Sequence, residues 1–219
     1  MKIAFLHTLS SNINLFKPYI NQYLSNTDRS FTVEVNHHLH EELLKEAMTT
    51  GITPELRNNV IRSIETIAKQ GVDVIVCTCS TIGAMAEETQ INGCRILRVD
   101  RPMAEATVQY QRVLVLAAVA STLDPSLNLL EQVRGSHSTH IDSALVPDAW
   151  AFYFAEDYEN YARTIARYIS TIEAKYDVIM LAQASMTPAV AYCQPSSASI
   201  LTSPETCLQY LLHQVINNA

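Results

Sequence analysis

Long apolar runs are missing from this 219-residue chain; the longest, Val113 to Ala120, suits a strand. A membrane-spanning helix needs about 20 apolar residues, so no membrane partner is expected. A basic stripe is missing as well: Lys and Arg total 15 against 22 Asp and Glu, for a net charge of −7. That balance excludes nucleic acid as an expected partner, but not a small anion, which responds to a local pocket field rather than to net charge. There is no even set of cysteines. Five are present, three within or near strand patterns, which points to a reducing cytoplasm rather than a disulfide framework. Met1-Lys-Ile-Ala-Phe-Leu-His7 leads straight into a strand pattern, so no signal peptide is expected.

What is present is an alternation of short apolar runs and helical spacings. Lys2 to His7 predicts a strand, and the polar turn Thr8-Leu-Ser-Ser-Asn12 can cap a helix over Leu15 to Leu24. Phe31 to Val35 alternates like a second strand; His37-His-Leu-His-Glu-Glu42 follows, then helical spacing through Leu43, Leu44 and Ala47. Thr53 as cap and Pro54 at the first position start a helix that runs to about Gln70 and stops at Gly71. Asp73 to Cys79 is a strand, Thr81 to Thr89 a helix, and Gly93 to Asp100 another strand. The pattern then restarts. Arg112 to Ala120 is a strand, Ser121 to Pro125 a polar turn and helix start, Ser138 to Leu145 a weaker strand, and Phe152 to Lys175 one long helix. Asp177 to Met186 reads as strand then helix start, Ser199 to Leu201 as a last strand, and Pro204 to Asn217 as a closing helix.

The two halves overlay. Asp73-Val-Ile matches Asp177-Val-Ile and Ile96-Leu matches Ile200-Leu at one offset, while Ile3-Ala-Phe-Leu pairs with Val113-Leu-Val-Leu at a slightly larger one. The expected fold is therefore α/β with two pseudo-symmetric lobes, each a parallel sheet flanked by helices, with a cleft between them. Lobe one is expected to comprise 1–101 plus 203–219 and lobe two 102–202.

The chain is organised around Asp73-Val-Ile-Val-Cys-Thr-Cys-Ser-Thr-Ile-Gly83, an apolar run that ends in two thiols and then polar, small residues. Ligands in open α/β sheets bind at the carboxyl ends of strands, and a helix start there favours an anion or a thiolate. Alternation sends Cys77 and Cys79 to one face, where both could equally be buried packing residues. In the register of the repeat, Cys79 falls on Gln183.

On these residues the chain resembles the aspartate/glutamate/hydantoin racemase superfamily. Cys79-Ser-Thr81 stands where that superfamily carries a Cys-Asn-Thr-like motif, and Leu181-Ala-Gln-Ala-Ser-Met186 stands at the second motif, with Gln183 in the position of the second cysteine. His7-Thr8, Asp100-Arg-Pro-Met-Ala-Glu105 and Ser121-Thr-Leu-Asp-Pro125 extend the resemblance over nearly the whole chain. It implies a cytoplasmic enzyme without cofactor, in which one thiolate removes the proton beside a carboxylate and an opposite thiol returns one. Gln183 offers no acid or base, only hydrogen bonds. The resemblance therefore implies Cys79 as nucleophile or single base, with Gln183 holding a carboxylate or an enolate-like oxygen. His7, Thr8, Ser80, Thr81, Ala184 and Ser185 are the implied substrate contacts. Ser10, Ser11, Ser121 and Thr122, after the first strand of each half, are either helix caps or carboxylate contacts.

Other groupings point elsewhere more weakly. His37, His38 and His40 with Glu41 and Glu42 form either a metal site or a polar strand end; the strand end is favoured, and no metal is expected. Cys77 and Cys79 with Cys94 lack the second pair that a zinc site needs. Cys193 is either a replacement acid or part of a loop before Pro195. Trp150, Phe152, Tyr153 and Phe154 pack in the core or cover a pocket or subunit interface. The expected function is a cofactor-independent racemase- or isomerase-like enzyme acting on a small carboxylate or amino acid through Cys79, possible as a homo-oligomer. Its rival is a two-lobe binding or sensor protein for a small carboxylate.

Overall fold

The structure, a computed structural model, describes residues 1–25, 32–195 and 197–216. The chain divides into two compact units, Met1–Arg101 with Pro204–Ala219, and Pro102–Ser203.

In the first unit the sheet order is β2-β1-β3-β4, all parallel, from β1 (Lys2–His7), β2 (Glu34–Leu39), β3 (Val74–Cys77) and β4 (Arg95–Arg98). The central strands β1 and β3 are apolar on both faces because helices cover both. On one face, Leu43, Leu44 and Ala47 of α2 (Glu41–Thr50) and Leu56, Val60, Ile64 and Ile67 of α3 (Pro54–Ala68) close on Ala4, Leu6 and Ile75. On the other, α1 (Ser10–Ser25) buries Asn12, Phe16 and Ile20, one residue per turn. Phe16 meets Phe5 at 5.8 Å between ring centroids. Ile20, Tyr23, Leu208 and Leu211 line a small gap above Ile3 and Phe5, so the helical segment that carries Leu208 and Leu211 belongs to this layer. Thr53 caps α3 as its position predicts, its Oγ1 accepting from Leu56 N–H at 3.1 Å. Gly71 takes a φ of 72°, where a side chain would be strained.

Two expectations for this half change. The second strand is not Phe31–Val35 but Glu34–Leu39, running through His37 and His38; Phe31 itself lies outside the described residues. An edge strand half-open to water does not need the apolar alternation that marked the earlier segment. The helix expected over Thr81–Thr89 shortens to α4 (Gly83–Glu87).

The second unit begins within α5 (Arg101–Ala106) and repeats the topology as β6-β5-β7-β8, also all parallel. Its strands are β5 (Arg112–Ala117), β6 (His140–Leu145), β7 (Val178–Leu181) and β8 (Ser199–Thr202). Helix α6 (Leu123–Arg134) follows β5 and packs Leu129 and Leu130 on Val113, Val115 and Met180. The long helix expected over Phe152–Lys175 is two, α7 (Ala149–Phe154) and α8 (Tyr158–Ile172). Glu156 breaks it with a φ of 57°, and Asp157 caps α8 by accepting from Asn160 N–H at 3.1 Å. After β7 the chain winds as a 3₁₀ segment, Ala184–Tyr192, instead of the expected α-helix. Helix α9 (Ser203–Tyr210) then leads back to the first unit.

The repeat extends to individual hydrogen bonds. Asp73 Oδ2 accepts from Lys2 N–H at 2.7 Å, and Asp177 Oδ2 accepts from Arg112 N–H at 2.9 Å. At the other end of the same strand pairs, Thr78 N–H donates to Leu6 O and Ala182 N–H to Leu116 O, both at 2.9 Å. Among the described residues no helix is long and apolar enough to cross a membrane.

Candidate active site

In the first unit, the carboxyl ends of the two central strands bring His7, Thr8, Thr78 and Cys79 together. β3 is continuous with Thr78 and Cys79, and Thr78 N–H still pairs with Leu6 O as the sheet ends. The Cys79 sulfur lies beside the Thr8 hydroxyl, the Thr81 hydroxyl and the backbone N–H groups of Thr81 and Ile82, all of which favour the thiolate. Burial opposes them and is the larger effect, so the resting thiol is held above its ordinary range. This corrects the expectation that a helix start alone favours the thiolate: α4 begins four residues beyond the sulfur, and the donors come from the turn before it.

Two buried oxygens in this unit lack partners: Ser80 Oγ, next in the chain to Cys79, and Asn12 Oδ1 on α1 have no hydrogen bond among the described residues. Each such orphan costs about 1–3 kcal/mol, which a bound polar ligand recovers. Cys77 differs from Cys79. It lies in the core with Ile75 and Ile82, donates weakly to Cys79 O at 3.7 Å, and its thiol is pushed far up by burial. The packing alternative therefore describes Cys77.

The other sites expected in this half are less close. His7 is fully buried with both ring nitrogens hydrogen-bonded, to Thr78 Oγ1 and to His37 Nδ1, each at 2.9 Å, which leaves neither for a ligand. Burial, helped by His37 and His38, holds its pKa at about 3, so the ring is neutral. Ser10, exposed at the start of α1, has its N–H on Glu41 Oε1 at 3.2 Å, and Ser11 is half-buried beside it. His40 Nδ1 pairs with Glu42 Oε1 at 2.9 Å. Among the described residues no three His, Cys, Asp or Glu side chains stand together as a metal-holding group.

In the second unit the corresponding strand end carries Gln183. Its Oε1 accepts from Ala118 N–H at 2.6 Å and from Val119 N–H at 3.0 Å, which holds the amide by its oxygen and leaves Nε2 as the donor. Ala184 and Ser185 are buried next to it, and Ser185 Oγ meets Tyr161 OH at 3.1 Å. Thr122 is buried after β5; Ser121 Oγ, Thr187 Oγ1 and Trp150 Nε1 are buried without partners among the described residues. Trp150 stacks on Tyr153 at 4.5 Å within an aromatic group that includes Tyr161. Cys193 donates to Ala189 O at 3.4 Å and burial raises its thiol, which suits the loop alternative and not a ready acid.

Sequence reasoning missed two features here. Asn12 falls on the buried face of α1, a signal already present in the spacing Asn12-Phe16-Ile20. The second is a buried ion pair, Arg98 Nε and Nη2 on the two oxygens of Asp100 at 2.8 and 2.9 Å. Arg98 also explains Gly83: a Cβ there would sit 3.1 Å from Arg98 Nε and 3.2 Å from its Cβ.

No family model matches the chain, and no curated protein does. Solved structures do. An aspartate racemase from Picrophilus torridus superposes with a TM-score of 0.73 at 16% identity, over 97% of this chain and 93% of that one. This chain has the aspartate/glutamate racemase fold. A glutamate racemase from Francisella tularensis, in complex with D-glutamate, matches the same two-lobe fold with a TM-score of 0.71 at 12% identity, covering 99% and 81% of the two chains. The glutamate racemase of Aquifex pyrophilus gives 0.61 at 13%, over 96% and 82%.

Proposed function

We propose that this racemase-fold chain is a cofactor-independent enzyme of the aspartate/glutamate racemase superfamily, acting on a small carboxylate or amino acid through Cys79. The observation that carries this reading is the surroundings of that sulfur: two hydroxyls and two backbone N–H groups beside one thiol at a strand end. A buried cysteine serving only as a hydrophobe, like Cys77, needs no such donors. The proposed chemistry is proton abstraction or nucleophilic addition. As a base, the thiolate takes the proton beside a substrate carboxylate and becomes a thiol, leaving an enolate. Gln183 holds no proton that it can give up at neutral pH. Its Nε2–H remains a hydrogen-bond donor for a carboxylate oxygen at its own strand end, with Oε1 held by the N–H groups of Ala118 and Val119. The repeated strand order and the paired Asp73 and Asp177 bonds support an internal duplication as the origin of the two units.

A second reading, a binding or sensor protein for a small carboxylate, draws on the amide at position 183 and on the raised Cys79 thiol. The test uses L- and D-aspartate, L- and D-glutamate and maleate with the wild-type chain and with Cys79→Ser. Turnover of one of them that vanishes in the variant supports the enzyme. Saturable binding in both, with turnover in neither, supports the sensor.

A further inference from the structure

Two imidazoles meet in the first unit, and their hydrogen bonds permit one placement of protons. Thr78 Oγ1 lies 3.1 Å from Leu6 O, which can only accept, so the hydroxyl proton points there. The same Oγ1 is 2.9 Å from His7 Nδ1 and must accept, so His7 carries its proton on Nδ1. His7 Nε2 is then a lone pair 2.9 Å from His37 Nδ1, which must donate. Donation therefore runs one way, from His37 through His7 and Thr78 to Leu6 O. The rings of His7 and His37 stack at 5.1 Å, and Phe5 and Phe16 close around His7 at 6.1 and 5.8 Å. His37 is half-buried, with the Lys17 ammonium of α1 and the His38 ring of its own strand as titratable neighbours.

We propose that His7 is a positioning residue for the Cys79 thiol, held by His37 in the tautomer that donates to Thr78. The inference rests on the reading of Cys79 as the reactive group. Thr78 immediately precedes Cys79, and His7 immediately precedes Thr8, whose hydroxyl lies beside the sulfur. One buried ring thus ties together the two strand ends that carry the sulfur and one of its donors. The second unit offers the contrast. In the register of the repeat its counterparts of His7 and Thr78 are Ala117 and Ala182, although Ala182 N–H keeps the backbone bond to Leu116 O. The side-chain clamp is present where the thiol is present and missing where Gln183 replaces it. A buried histidine that only filled core space would have no reason to follow the thiol.

The test measures the rate of Cys79 alkylation by iodoacetamide against pH in the full chain, with peptide mapping to assign the site. In His7→Asn the amide nitrogen replaces Nδ1 as donor to Thr78; in His7→Gln the amide reaches toward His37 and the bond to Thr78 is lost. The expected result is a wild-type profile for His7→Asn and, for His7→Gln, a midpoint raised by about one pH unit, or about tenfold slower alkylation below it. A wild-type profile in His7→Gln, or equal shifts in both variants, overturns the proposal. Nitrogen NMR of the wild-type rings needs no variant: His7 protonated on Nδ1 and bare on Nε2 at neutral pH is expected, and the opposite tautomer overturns the clamp. Undiminished turnover in Cys79→Ser would sink the enzyme reading while leaving the tautomer result standing, so the two failures are distinguishable.

Discussion

The two sheets end differently although they are built alike. At the end of the first, a buried thiol is ringed by donors from Thr8, Thr81 and Ile82. At the end of the second, the amide of Gln183 consumes the two N–H groups offered by the turn after β5. The first end is thus organised around an atom that can gain or lose a proton, the second around one that cannot. Strand order, strand register and the bonds of Asp73 and Asp177 are shared, so the backbone does not account for the contrast. A handful of side chains does: Cys79 against Gln183, His7 against Ala117, Thr78 against Ala182 and Arg98 against Thr202.

The contrast is open to direct attack. The largest expected effect on stability lies at Arg98, which is almost fully buried on Asp100. Asp100→Ala leaves the guanidinium buried without its charge partner and is expected to cost about 3–5 kcal/mol in denaturant unfolding. Thr202→Ala, at the second unit's counterpart of Arg98, is expected to cost no more than about 1 kcal/mol. Equal losses would mean that the ion pair is not what distinguishes the two sheets.

A pH effect comes next, through His7. Unfolded, its ring binds a proton below about 6.5; folded, burial delays that to about 3. The unfolded chain therefore binds more protons across this window, and stability falls as pH falls through it, by up to about 1.4 kcal/mol per pH unit for this one group. His7→Asn is expected to flatten that part of the stability–pH curve, as followed by urea unfolding at pH 7, 6, 5 and 4. An unchanged slope would show that His7 takes its proton in the fold as readily as outside it. Ala117 gives the second unit no such term.

The remaining effect is at Gln183, where Gln183→Leu strands the N–H groups of Ala118 and Val119, at about 1–3 kcal/mol for each that water does not reach. Gln183→Glu keeps an oxygen for them and should unfold near the wild type, yet it replaces the outward donor with an acceptor and is expected to weaken carboxylate binding by roughly tenfold or more. Carboxylate affinity unchanged in Gln183→Glu would remove Nε2 from the proposed site.

Much of this was legible in the sequence, and what was not has identifiable causes. Buried parallel strands announce themselves as unbroken apolar runs, so β1, β3, β5 and β7 were placed, and the matching aspartates before β3 and β7 exposed the repeat. The edge strand β2 was misplaced because half-solvated strands tolerate Asn36, His37 and His38. The break between α7 and α8 was hidden because Glu156 takes a left-handed conformation with neither glycine nor proline to mark it. Cys79 and Gln183 could be singled out from the register of the halves. The His37–His7–Thr78 chain could not, since its members are 30 and 71 residues apart and its meaning depends on which nitrogen holds a proton.

The central claim is that proton chemistry belongs to the first sheet's thiol, and it is tested most directly by exchange of substrate α-protons with deuterated solvent. Aspartate and glutamate of either hand, incubated in D2O with the wild-type chain and with Cys79→Ser, are the probes. The account predicts deuterium entering the α-position of at least one of them with the wild type, and a rate lower by roughly a thousandfold in the folded variant. Equal exchange with and without the Cys79 sulfur would contradict it.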